Sequence, residues 1–247
     1  MSLLEITAPQ SARLKTSLVD PFVNERLRQD NDPYQLSREL NCSIDKPIQW
    51  FLKRVLDYGL GLTALILFSP LLLLIAIAIK LDSPGPVFFK QTRIGMNGRR
   101  FEMIKFRSMY IDAEQRLGKL LEQNESSNGM FKLTNDPRIT RLGSTLRKFS
   151  LDELPQIFNV LRGEMSLVGP RPPLLRELAF YEPWHYVRFG SMPGMTGLWQ
   201  VSGRSNIKNF DHVVQLDYQY ISQWHFPLDL QLILKTIPAV LLAKGAH

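Results

Sequence analysis

The stretch FLKRVLDYGLGLTALILFSPLLLLIAIAIKLD, residues 51–82, limits the fold more than any other part of the chain. Between Val55 and Ile79 the only formal charge is Asp57, and an apolar run of this length crosses a bilayer as a helix. Two features oppose a plain span. Pro70, next to Ser69 in mid-run, lacks the N–H that a helix needs, and its ring crowds the preceding turn. Basic residues flank both ends, Lys53 and Arg54 before the run and Lys80, Lys90 and Arg93 after it, and both flanks favour the same side of a membrane. A helix that enters, breaks at Ser69-Pro70 and returns satisfies both flanks, provided the freed carbonyls find partners such as a serine hydroxyl. The residues alone leave the spanning and the re-entrant forms both open.

The 247 residues suffice for one sizeable domain with appendages or for two small ones. Cys42 is the only cysteine, so an intrachain disulfide is excluded. A formal net charge of +7 points to anionic partners: phosphates, nucleic acid or anionic lipid. Residues 1–47 are polar and broken by Pro9, Pro21, Pro33 and Pro47, which predicts a loose arm with a short helix near 22–30. The first thirty residues contain no apolar core of a secretory leader.

Beyond the apolar run, Asn97-Gly98 predicts a type I′ turn between strands at about Val87–Ile94 and Arg100–Lys105. That hairpin delivers Lys105 and Arg107 to a strand end. Residues 111–123 read as an amphipathic helix and NESSNG as an exposed loop. Residues 228–244, apolar but interrupted by Lys235 and Pro238, suit a core helix or one lying in a membrane interface. The aromatic run FYEPWHYVRFG, 180–190, suits an interface as well as a core.

Residues 136–205 hold most of the unusual chemistry. In RKFSLDELPQ, Asp152 and Glu153 stand side by side. Ser150-Leu151-Asp152-Glu153 fits a capping box, with Ser150 as N-cap; with Asp152 as N-cap instead, Pro155 falls at a harmless third position. A catalytic carboxylate pair is the competing reading. Arg138, Arg141, Arg147 and Lys148 lie within eleven residues with no acid among them. Arg171 in GPRP and Arg204 in SGRS each stand in a small, rigid loop, the kind that presents a planar guanidinium to phosphate oxygens. The four histidines show no metal-ligand spacing, and GxGxxG, Walker and GxSxG sequences are absent.

SPGPVFFKQTRIG, KFRSM, NDPRITRLGSTLRKFSLDELPQIFNVLRGEMSLVGPRP and PGMTGLWQVSGRS, in this order, resemble the bacterial sugar transferases called monotopic phosphoglycosyl transferases, over about residues 48–244. The resemblance implies transfer of a sugar 1-phosphate from a UDP-sugar to undecaprenyl phosphate with release of UMP and with Mg²⁺, at the start of exopolysaccharide, capsule or O-antigen synthesis. It places the family's nucleophilic aspartate on Asp152 and its metal-holding glutamate on Glu153. It places phosphate-side basic residues on Lys105, Arg147, Arg171 and Arg204, and the membrane-helix break on Ser69 and Pro70. Larger relatives carry several membrane helices before the catalytic part, so the chain resembles a minimal form.

The fold so implied is α+β and mainly helical. It has a polar arm (1–47), a re-entrant membrane helix hairpin (48–82) and a small cytoplasmic catalytic domain (83–247) with a β-hairpin and interfacial amphipathic helices. The implied location is the bacterial inner membrane, in contact with its lipids and with no nucleic-acid partner; a homodimer stays open. TGLWQVSGR is closer to members that use glucose or galactose than to those taking N-acetylated sugars. Two rivals are a metal-dependent hydrolase of nucleotide sugars and a non-catalytic basic membrane module.

Overall fold

The computed structural model describes residues 34–41, 46–120, 133, 135–203 and 209–241. The helix expected near 22–30, the NESSNG loop and Arg204 lie outside them. A short helix, α1 (Gln35–Glu39), precedes the dominant element, α2 (Pro47–Asp82), a helix of 36 residues. Pro47 opens α2 in its first turn, where a missing N–H costs nothing. By length and composition α2 is able to cross a membrane.

Ser69-Pro70 does not interrupt the helix as expected. Pro70 lies inside α2, with helical residues on both sides. The carbonyl that Pro70 leaves without a backbone donor is that of Ile66, four residues back, and the Ser69 hydroxyl donates to it at 2.8 Å. A side chain thus replaces the missing bond, which is how proline becomes tolerable in an apolar helix.

Both ends of α2 dock on the rest of the chain. Near its start, buried Lys53 donates to Val168 O at 2.8 Å and to Asp229 Oδ2 at 2.7 Å. Asp57 accepts from Leu167 N at 2.9 Å and from the Ser166 hydroxyl at 3.0 Å, so the lone charge of the apolar run is a pin and not an exposed defect. Near its end, Ile75 and Ile79 are buried against Phe106 and Leu146. Arg107 Nη2 donates to Ser83 O at 2.8 Å, placing a cation against the carbonyl end of the helix. Between these anchors Leu62, Ile66, Leu67, Leu73 and Leu74 are exposed.

The hairpin forms as expected, with β1 (Phe88–Ile94) antiparallel to β2 (Arg100–Phe106) and Lys105 opposite Phe89. Asn97 and Gly98 both take positive φ, 55° and 77°, as a type I′ turn demands. Helix α3 (Ala113–Leu120) follows, then α4 (Arg141–Lys148), capped by the Thr140 hydroxyl accepting from Gly143 N at 2.9 Å. A Cβ at Gly143 would fall 2.0 Å from Ser108 O, so α4 lies directly on the segment leaving β2.

After a 3₁₀ turn (Leu151–Glu153) come α5 (Gln156–Leu161) and β3 (Ser166–Val168). Two 3₁₀ segments (Leu175–Phe180 and Pro183–Gly190) lead to β4 (Gly194–Thr196), which pairs with β3 in parallel. The last elements are α6 (Leu198–Val201), α7 (Phe210–Ser222) and α8 (Phe226–Leu241).

Helix α8 packs one face as the core-helix reading expects and leaves the other open. Leu232 is buried with Tyr220, Ile221, Trp224 and Val168, whereas Leu230, Leu234 and Ile237 are exposed. One face is core; the other is an open apolar stripe at helical spacing. The fold is thus mostly helical, with two small two-stranded sheets among the described residues.

Candidate active site

The chain between α4 and α5 turns sharply. Ser150 sits at φ 54°, ψ 22°, a left-handed conformation that costs a non-glycine residue about 1 kcal/mol or more and is held only by its surroundings. Asp152 and Glu153 follow in the 3₁₀ turn, with Glu153 N donating to Ser150 O at 3.2 Å. Neither expected cap forms. The Ser150 side chain makes no capping bond, and the helical N-cap is Pro155, whose fixed φ suits that place. Helix α5 has only six residues, so its dipole is too short to serve as a phosphate site. The carboxylates precede the helix instead of capping it.

Asp152 is buried, 8% exposed, and Glu153 is half-buried. Glu153 Oε1 lies 2.7 Å from Lys105 Nζ, so the acidic turn and the hairpin meet in an ion pair. Asn159 fixes this register. Its Oδ1 accepts from Ile104 N at 3.0 Å and its Nδ2 donates to Glu102 O at 2.7 Å, so a side chain of α5 pairs with β2 as a strand would. Lys105 is the next residue along.

Arg147 lies in the last turn of α4, and its charge is felt by Asp136. Arg138, one of the basic cluster read from sequence, is locked to Asp136: Nε to Oδ1 at 2.9 Å and Nη2 to Oδ2 at 2.6 Å. Burial pushes the Asp136 carboxyl up, but the Arg138 side chain and backbone N–H, with Arg147 beyond, outweigh burial and hold it below its usual value. A depressed carboxylate stabilises the fold above its unfolded pKa and loses that contribution as pH falls. Asp136→Asn should therefore be less stable than wild type at pH 7, and the gap should close below about pH 4 in urea unfolding.

Arg171 is presented by Gly169-Pro170-Arg171-Pro172-Pro173, which continues β3. A Cβ at Gly169 would lie 2.1 Å from Met192 O, one at Gly194 would lie 2.1 Å from Gly169 N, and one at Gly197 would lie 2.4 Å from Gly169 O. The glycines of GPRP and PGMTG are therefore paired: two backbones touch without side chains between them, and the Arg171 loop is seated on β4.

Arg93, which sequence reading passed over as a flanking charge, links the parts. It is buried on β1, and burial first, then Arg171, lowers its pKa to about 9, while Glu177 and Glu153 act upward. It still carries its charge at neutral pH, between the Arg171 loop and the acidic turn. The structure thus gathers Lys105 and Glu153 in contact and Arg171 and Glu153 within electrostatic reach of Arg93. Arg147 stands on the helix leading into the turn, while Ser69 and Pro70 lie apart in α2.

Among the described residues no three or more His, Cys, Asp or Glu side chains converge as a closed metal cage. Mg²⁺ does not require one, since it commonly takes one or two carboxylates and completes its octahedron with water and substrate phosphates. Two adjacent carboxylates beside basic residues fit that donor set.

The sequence model described as bacterial sugar transferase matches residues 48–243. The exopolysaccharide production protein ExoY of Rhizobium meliloti is 42% identical over 224 residues, covering 89% of this chain and 98% of that protein. The galactosyl transferase CpsE of Streptococcus agalactiae is 47% identical over 194 residues, 78% of this chain, which spans only 43% of CpsE. The UDP-glucose:undecaprenyl-phosphate glucose-1-phosphate transferase of Caulobacter vibrioides is 40% identical over 202 residues, 79% of this chain and 72% of that enzyme. The matched segment holds the long apolar helix, the hairpin, the acidic turn and the Arg171 loop together, and on this similarity the chain belongs to the bacterial sugar transferase family.

Proposed function

We propose that this chain is a phosphoglycosyl transferase that moves hexose 1-phosphate from a UDP-sugar to undecaprenyl phosphate on the cytoplasmic face of the bacterial inner membrane, in the first membrane step of exopolysaccharide, capsule or O-antigen synthesis. The strained acidic turn carries the reading: a buried carboxylate, Asp152, next to a carboxylate paired with Lys105. The names of the relatives, one acting on UDP-glucose and one a galactosyl transferase, support a glucose or galactose donor.

In the first half-reaction an Asp152 carboxylate oxygen attacks the phosphorus that bears the sugar. The new acyl–phosphate bond forms as the P–O–P bond breaks, and UMP leaves with the electron pair. In the second, a phosphate oxygen of undecaprenyl phosphate attacks the same phosphorus; the acyl–phosphate bond breaks, and the carboxylate and undecaprenyl diphosphate-sugar result. One phosphoanhydride is exchanged for another, and the acyl phosphate keeps the group activated between the two steps. Arg171, Arg147 and Arg204 neutralise and orient the phosphates, and Lys105 holds Glu153 towards them. Mg²⁺, held by Glu153, would supply further charge neutralisation on the diphosphate.

UMP release over a panel of UDP-sugars, with and without undecaprenyl phosphate, tests this function. The expected result is sustained release with UDP-glucose or UDP-galactose only when the lipid is present. Sustained release without it would mark a hydrolase, and no release from any donor would leave a non-catalytic module.

The re-entrant topology is part of this proposal, supported by the docking of both end segments of α2 on one folded body. With both end segments docked on one body, both ends of α2 would stay on one side of the bilayer, and its exposed apolar side chains, which run from Ile48 to Leu81, would face the lipid. Lys46→Cys and Lys90→Cys, made in a Cys42→Ser background, should both be shielded from periplasmic thiol reagents in intact cells. Labelling of either from outside would show a true span.

A further inference from the structure

Segment 170–173 reads Pro-Arg-Pro-Pro, so it carries only one backbone N–H, that of Arg171. A loop so poor in donors cannot tie itself down by ordinary backbone pairing; it has to be held by its carbonyls. All four are taken. Pro170 O accepts from Gly194 N at 2.9 Å and Pro173 O from Ile94 N at 3.1 Å, one backbone donor at each end. The middle two accept from guanidiniums: Arg171 O from Arg188 Nη2 at 3.2 Å and Pro172 O from Arg93 Nη1 at 3.0 Å.

These two arginines are themselves fixed. Arg93, 4% exposed, also donates through Nη2 to Gln91 Oε1 at 2.7 Å. Arg188, 5% exposed, donates through Nη1 to the Tyr181 hydroxyl at 2.6 Å, and its Nη2 sits 2.7 Å from Asp217 Oδ2, an ion pair off-axis for a hydrogen bond. Neither is open to a substrate. A buried guanidinium is a costly way to satisfy one carbonyl unless its rigidity is used.

We infer that Arg93 and Arg188 are positioning residues that clamp the two successive peptides flanking Pro172 and thereby aim the Arg171 guanidinium at the donor diphosphate. This rests on the proposed role of Arg171 as a phosphate ligand. Arg93 is the better of the two to test, because removing Arg188 would strand the buried Asp217 carboxylate. The clamp acts only through Arg171, so its loss should have no further effect once the Arg171 side chain is gone.

A double-mutant cycle on the full chain in detergent reads this directly, with Arg93→Met, Arg171→Ala and the pair combined. It is measured twice, on kcat/KM with UDP-sugar and undecaprenyl phosphate and on UDP binding by calorimetry. Arg93→Met should lower kcat/KM by about tenfold to a hundredfold, as a misplaced ligand does, and weaken UDP binding. The double variant should match Arg171→Ala within about twofold in both measurements. If Arg93→Met does not fold, the cycle is run with Arg93→Lys, which keeps the charge but not the two-armed fork. Losses that multiply, as a general structural role would give, overturn the inference, as does a wild type that binds no UDP. A wild type that binds UDP and shows the coupling but turns over no donor would sink the proposed function and leave the clamp standing.

Discussion

Asp152→Asn should abolish turnover, by about 10⁴ or more, the order lost when a nucleophile is removed. The substitution is nearly isosteric, and the residue lies in a 3₁₀ turn whose backbone bonds do not depend on its side-chain charge. Folding and UDP binding should therefore survive. An amide cannot form the acyl phosphate, so the first half-reaction has no route. Were Asp152 only part of the turn's structure, asparagine would serve nearly as well and activity would persist. Glu153→Gln should also fail, with added Mg²⁺ restoring part of the activity, because a neutral amide oxygen is a weaker ligand for a hard cation.

Arg171→Ala should cost roughly a hundredfold or more in kcat/KM while leaving the melting temperature close to that of wild type. The argument lies in how the loop is tied. Its tethers use the carbonyls of residues 170–173 and the close backbone contact at Gly169, none of which involves the Arg171 side chain. Truncating the guanidinium removes a bidentate partner for phosphate oxygens and leaves its platform in place. A variant with near-normal turnover would show that the loop is a packing device. One that loses stability along with activity would show that the guanidinium holds the fold.

Features encoded by neighbouring residues were legible in the sequence. Asn97-Gly98 announced the hairpin because two successive positive φ values admit few other residues, and the bounds of the strands followed from it. The Ser69 hydroxyl was a foreseeable partner for a carbonyl freed by Pro70, being only three residues from Ile66. The acidic pair was read at a helix start but with the wrong cap. A propensity rule ranks Ser150 and Asp152 as caps, but the left-handed turn at Ser150 carries the chain past both, and α5 begins at Gln156, with Pro155 at the N-cap position. Arg138 was read as part of a basic cluster, and its partner, Asp136, stands two residues before it. What could not be read was long-range. Asn159 bonds a strand residue 55 positions away, and Arg93 bonds a carbonyl 79 positions away. No local pattern distinguishes these two from an ordinary helical asparagine and a surface arginine. They nonetheless set where Lys105 and Arg171 stand.

The covalent step is the centre of the account, and intact-protein mass spectrometry reaches it without the second half-reaction. Wild-type protein incubated with UDP-glucose or UDP-galactose and Mg²⁺, with no lipid acceptor, should gain the mass of one hexose phosphate and release no more than about one UMP per enzyme. The adduct should map to Asp152, should vanish on addition of undecaprenyl phosphate, and should be missing from Asp152→Asn. Unmodified wild-type protein that nonetheless transfers hexose phosphate to the lipid, or an Asp152→Asn variant that still acquires the adduct, would contradict it.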